Sequence, residues 1–194
     1  MRKLLFLSLL GFVNAAYGNV RLSGSYGLGS GTVKAAGDSN SLGASLLKIN
    51  GSFQPIAKAN FLIGLGLTNI QYDDGSTLDD TSLLGYSVTA GGFYRLKNTP
   101  VELEATASYN FTGGGSTSPK QYDENGRLEY IGDRDYDLNS GYSLTLSAGY
   151  LIVPSFKTSF QVEFGFADAA LANGNTLDFD YQTYSLAGTY ILRI

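Results

Sequence analysis

Period-two alternation runs through most of the chain beyond its first sixteen residues. Leu84, Tyr86, Val88, Ala90, Gly92, Tyr94 and Leu96 alternate with Gly85, Ser87, Thr89, Gly91, Phe93 and Arg95. Val101, Leu103, Ala105, Ala107, Tyr109 and Phe111 alternate with Glu102, Glu104, Thr106, Ser108 and Asn110. Tyr142, Leu144, Leu146, Ala148, Tyr150 and Ile152 do the same against Ser143, Thr145, Ser147, Gly149 and Leu151. Side chains of an extended strand point to opposite faces in turn, so each run predicts a strand with one apolar and one polar face.

Eight strands are expected in all, at 18–28, 42–53, 59–70, 83–96, 101–111, 140–152, 157–166 and 179–194. In the second, Leu47, Ile49, Gly51 and Phe53 take the apolar face and Leu46, Lys48, Asn50 and Ser52 the other. Long connections (29–41, 71–82, 112–139, 167–178) alternate with short ones (54–58, 97–100, 153–156). Pro55, Pro100 and Pro154 fall in the short ones, as they should, because proline cannot donate to a ladder.

A soluble β-sandwich would alternate too, but three features favour a barrel in a membrane. An even strand number with short turns on one side and long loops on the other is the pattern of outer-membrane barrels. Strands of 10 to 16 residues are longer than the usual ~5–6 and suffice for the ~9–11 that cross a bilayer at a tilt. Tyrosines close the apolar faces at both ends: Tyr86 and Tyr94, Tyr142 and Tyr150, Tyr184 and Tyr190. Eight tilted residues separate the first two pairs by roughly 20 Å, close to the ~25 Å apolar band. The expected fold is therefore all-β: an eight-stranded antiparallel up-and-down transmembrane β-barrel, with short periplasmic turns and long extracellular loops.

Residues 1–15 read as a signal peptide, with Arg2 and Lys3, an apolar run from Leu4 to Val13, and Asn14, Ala15 and Ala16. Val13 and Ala15 suit the −3 and −1 positions, which leaves 16–194 as the barrel domain. The chain ends with Tyr184, Leu186, Gly188, Tyr190, Leu192 and Ile194 on one face. Here it resembles the bacterial outer-membrane β-barrel superfamily, in particular small eight-stranded members of the outer membrane protein A and X type. The resemblance implies an integral protein of the Gram-negative outer membrane, in contact with its lipid and lipopolysaccharide. It also implies that the barrel-insertion machinery reads strand 184–194, although Ile194 replaces the usual terminal phenylalanine.

Composition narrows the chemistry. The 194 residues include no cysteine, so disulfides, thiolate metal sites and lipoprotein acylation are excluded. Histidine is absent as well, and enzymes on such barrels rely on it; no enzymatic activity, catalytic residue, metal site or cofactor is expected. Arg2 and Lys3 belong to the leader, so the remainder carries 11 basic against 17 acidic residues, a net of −6 that argues against nucleic acid.

Taken as the lumen, the polar faces gather Arg21, Lys48, Arg95, Glu102, Glu104 and Arg193 toward the periplasmic end, a cluster expected to be structural. Lys58, Lys97 and Lys157 are expected on the periplasmic rim. The outer lumen carries small residues, among them Ser25, Gly27, Gly64, Gly66, Gly85, Ser87, Ser108, Ser143, Gly165 and Ala167, which suggests a water-filled pocket open to the outside. Relief of crowding in a tightly bent barrel explains the same glycines.

The long loops carry four basic against thirteen acidic residues, a rim suited to divalent cations and, through them, lipopolysaccharide phosphates. Asp133, Asp135, Asp137 and Asn139 share the lumen-side parity of Gly141 and Ser143 and read as a strand extension rather than a calcium loop. Within the longest loop, Asn125-Gly126 predicts a two-residue hairpin turn. Tyr122, Tyr130 and Tyr136 then form a candidate surface for an extracellular partner. The sequence favours a structural or surface-interaction role, in envelope integrity, adhesion or partner binding; the alternative is a narrow channel or small-ligand-binding barrel.

Overall fold

The computed structural model describes residues 18–35, 38–56, 59–73, 80–118, 120–122, 128–130, 134–171 and 176–193. The expected signal peptide and Ile194 lie outside them. Ten strands follow in order: β1 (Asn19–Ala35), β2 (Asp38–Phe53), β3 (Phe61–Asp73), β4 (Asp80–Arg95), β5 (Val101–Ser118), β6 (Lys120–Tyr122), β7 (Leu128–Tyr130), β8 (Arg134–Val153), β9 (Phe156–Leu171) and β10 (Thr176–Arg193). Eight close into one antiparallel barrel in the order β1-β10-β9-β8-β5-β4-β3-β2, and β6 pairs with β7 alone. Closure runs over the full length of β1, from Asn19 opposite Arg193 to Ala35 opposite Leu177.

Outside, the barrel is apolar where the alternation is strongest. Leu22, Tyr26, Leu47, Ile49, Val88, Leu103, Leu144, Phe160, Phe164 and Leu186 are all exposed, as are the six tyrosines that mark the two ends of the band. A belt of large exposed apolar side chains around a closed barrel is a surface solvated by lipid tails. Inside the same zone most side chains are polar, with Leu62, Ala187 and Ile191 among the exceptions. The short connections span 54–60, 96–100 and 154–155. In the second, Leu96 N–H donates to the Val101 carbonyl (3.0 Å) and Asn98 takes φ 60°, the left-handed conformation that asparagine tolerates.

The strands reach well past their expected outer ends. β1 continues to Ala35, β5 to Ser118, and β8 begins at Arg134, so much of the expected loop sequence is barrel wall. The physical reason is that alternation reports lipid on one face. Beyond the membrane the outer face meets water, and segments such as Gly113-Gly114-Gly115-Ser116 lose the pattern while their backbone groups keep pairing.

Two register shifts change which residues face inward. On β8 the shift falls between Leu138 and Ser140, which places Tyr136 and Leu138 inside and Asp135 and Asp137 outside. This corrects the expected lumen parity of the acidic run: one extra residue in a strand flips every side chain beyond it. Asp133 lies outside the described residues. The second shift lies between Tyr86 and Ser87, where Thr112 and Asn110 are the partners and Phe111 is left over. In the small hairpin Tyr122 pairs with Leu128, one position off the register of a two-residue Asn125-Gly126 turn, and residues 123–127 lie outside those described.

Candidate functional site in the barrel interior

Three layers fill the lumen, built from strands that the ring order places far apart. The lowest is a charge network at the end of the short turns. Arg21 of β1 donates from Nη1 to Glu102 Oε1 (2.7 Å) and from Nη2 to Oε2 (3.3 Å). β1 and β5 stand opposite each other in the ring, so this pair braces the barrel across its diameter. Lys157 Nζ reaches Glu102 Oε1 (2.8 Å) and Glu104 Oε2 (2.7 Å), and Arg95 Nη2 reaches Glu102 Oε2 (3.2 Å). Glu102 is thus fully buried beneath three cations, and the Phe93 ring lies 3.9 Å from the Arg21 guanidinium carbon.

Above it lies a single pair with its own hydrogen bonds. Lys48 Nζ is 2.8 Å from Glu163 Oε2, which also accepts from Thr145 Oγ1 (2.9 Å). Tyr181 donates its hydroxyl to the other oxygen, Oε1, at 3.0 Å. A buried carboxylate is tolerable only with its lone pairs satisfied, and Glu163 has three partners. The polar gap between the two layers, bordered by Lys48, Asn50, Glu104 and Ser147, measures only about 20 Å³. That is roughly the space of one water molecule.

The third layer is apolar and sits in the strand extensions, beyond the outer tyrosines. Phe179 is fully buried between Tyr72 (ring centroids 5.7 Å) and Tyr136 (5.5 Å), with Leu46, Ile70, Leu83 and Leu138 around them. Tyr136 donates its hydroxyl to the Ser82 carbonyl. Small residues make this packing fit. The Tyr181 ring covers Gly165 and the Tyr72 ring covers Gly31, and at either position a side chain would collide with the ring.

The residues expected in one lumen cluster therefore divide. Arg21, Arg95, Glu102 and Glu104 meet in the lowest layer, Lys48 belongs to the middle pair, and Arg193 is exposed at the short-turn mouth of the barrel without an ion pair among the described residues. Lys157 is a correction: it is buried in the network, not placed on the rim. Counting back by twos from Gly165 and Ala167 would have put both Lys157 and the overlooked Glu163 inside. The expected outer pocket is also corrected: the Tyr181 ring occupies the space at Gly165, while Gly27, Gly64, Gly66 and Gly85 lie close against backbone and polar side chains of neighbouring strands. Tyr136, expected on a binding surface, is buried in the cap because of the bulge on β8. Tyr122 and Tyr130 sit at the ends of the paired backbones of β6 and β7.

A closed ring of eight antiparallel strands, apolar outside at mid-height and polar inside, decides the architecture. The fold is a closed, all-antiparallel, eight-stranded up-and-down barrel. Among solved structures the barrel is similar to Neisserial surface protein A, at 9% identity over 92% of this chain and 98% of that one, with a TM-score of 0.49. It is similar to Ail, the attachment invasion locus protein of Yersinia pestis, solved with the heparin analogue sucrose octasulfate, at 18% identity over 90% and 99% of the two chains (TM-score 0.45). The N-terminal β-barrel domain of Pseudomonas aeruginosa OprF matches at 10% identity over 90% and 97% (TM-score 0.45). No protein-family model and no curated protein matches the sequence.

Proposed function

We propose that this barrel is a closed structural and surface-interaction protein of the Gram-negative outer membrane, acting through its exposed extension and not by transport. The observation that carries this reading is the brace from Arg21 to Glu102 across the lumen, stacked beneath the Lys48–Glu163 pair and the Phe179 cap. An ion crossing the barrel would have to break both buried charge layers and open a packed aromatic cluster.

The extension offers a chemically distinct outer wall. Asp135, Asp137, Asp168, Asp178 and Asp180 face outward on β8, β9 and β10, and Lys34 pairs with Asp180 at 3.1 Å. Such a wall suits lipopolysaccharide phosphates bridged by divalent cations, or an extracellular partner with basic side chains. The β10 strand would serve the insertion machinery during assembly. Planar-bilayer recording of the refolded, leaderless chain tests the reading: a silent bilayer is expected, and steady single-channel steps from the unaltered protein would replace it with a channel.

A further inference from the structure

The end of the barrel with the short turns contains a feature that the surface role does not use. Below the charge network a vestibule of about 290 Å³ opens between Asn19, Arg21, Arg95 and Arg193. We infer that this periplasmic mouth is an oxyanion site, taking a carboxylate or phosphate group from a molecule on the periplasmic side.

The first support is charge. Among the described residues Arg21, Arg95 and Lys157 pair only with Glu102 and Glu104, which leaves one positive charge in the network, and Arg193 adds a second at the lip. The second is independent of charge and concerns one atom. Arg21 is 3% exposed and borders the vestibule, yet its Nε–H has no hydrogen-bond partner among the described residues, although both terminal nitrogens bond carboxylates. The Phe93 ring does not supply the missing acceptor. It lies over the guanidinium carbon, whereas the N–H groups lie in the guanidinium plane and need acceptors there. A buried charged donor left unpaired is costly, and because Nε itself has almost no accessible surface, a small shift of the Arg21 side chain is what would bring it to an acceptor in the vestibule.

The third support is donor geometry. Arg95 gives only one of its two terminal nitrogens to Glu102, and its side chain is 46% exposed toward the mouth. Guanidinium forks match two-oxygen acceptors, so carboxylates and phosphates are favoured over halides. The site is walled from the lumen above by the Arg21–Glu102 brace, so a ligand here would be held from the periplasm and not passed through the barrel.

Arginine Nε–H resonances of the refolded chain in lipid nanodiscs give a direct readout, titrated at constant ionic strength with inorganic phosphate and, separately, with N-acetylglycine. Saturable shifts of the Arg21 and Arg95 signals with millimolar midpoints are expected. Response to phosphate alone identifies a phosphate ligand, response to N-acetylglycine alone a carboxylate, and response to both a general oxyanion site. R193Q, which touches no ion pair, should weaken the midpoint severalfold, and R95Q/R193Q by about tenfold or more. R21K keeps a cation opposite Glu102 but lacks Nε–H, and should lose most of the affinity while the barrel stays folded. No shift with either probe, or equal midpoints in the wild type and R95Q/R193Q, would overturn the site. Bilayer conductance is unaffected in either case, so this result and the closed-barrel reading stand or fall separately.

Discussion

The two halves of the barrel have opposite polarity. Within the membrane, β10 turns Tyr184 and Leu186 outward and Thr183 and Ser185 inward; a few residues further along, Asp178 and Asp180 face outward while Phe179 and Tyr181 face inward. The lower half is an inverted protein with a charged interior and a lipid-facing surface, and the upper half is an ordinary one with an apolar core. The solvent outside each half explains the difference. Lipid tails accept only apolar atoms, which sends charge to the lumen, whereas water outside the extension restores the hydrophobic drive to pack inward. Tyr181 joins the halves, its ring in the cap and its hydroxyl on Glu163.

If the lower half is held by buried charge, Glu102→Ala should be the most damaging single change. It leaves Arg21, Lys157 and Arg95 with only Glu104 to offset them, and removal of one member of a buried network costs about 3–5 kcal/mol. Denaturant unfolding in vesicles would record the loss, and an unchanged midpoint would break the contrast between the halves. The cap should respond to volume instead. Gly165→Ala drives a methyl group into the Tyr181 ring and is expected to cost about 1–3 kcal/mol. Tyr181→Ala made in the same chain should recover some of that loss, and strict additivity of the two changes would show that they do not touch.

A smaller effect is expected at Tyr136→Phe, which keeps the ring against Phe179 and deletes only its hydrogen bond to Ser82. About 1 kcal/mol should be lost, with no change in near-ultraviolet circular dichroism of the cap. Lys34→Gln closes the series. Its pair with Asp180 is exposed on both sides, so the shift should stay within about 0.5 kcal/mol and vanish in high salt.

How much of the molecule is legible in its sequence follows the same division. The membrane-spanning segments of all eight strands and the prolines of the short turns were legible, because lipid on one side and a polar lumen on the other imprint period two. Beyond the membrane, Ser39-Asn40-Ser41 and Gly113-Gly114-Gly115 are ladder all the same, held by backbone pairing that leaves no hydrophobic trace. The bulge on β8 was equally silent and moved Tyr136 from the expected surface to the core. Lys157 and Glu163 are a different case: their parity was present in the sequence and only needed to be counted through.

By itself, then, the sequence determined that the chain would form long amphipathic strands, how many would cross the membrane, and that charged side chains would enter the lumen. Only the closed tertiary structure decided which charges meet. Arg21 and Glu102 lie 81 positions apart and join because closure of the ring sets β1 opposite β5. It also decided that Gly165, expected to leave space, would receive the Tyr181 ring, since the tilt and stagger of a closed barrel set which side chains share a level. Alternation is a property of one strand and its solvent; pairing across the lumen is a property of all eight.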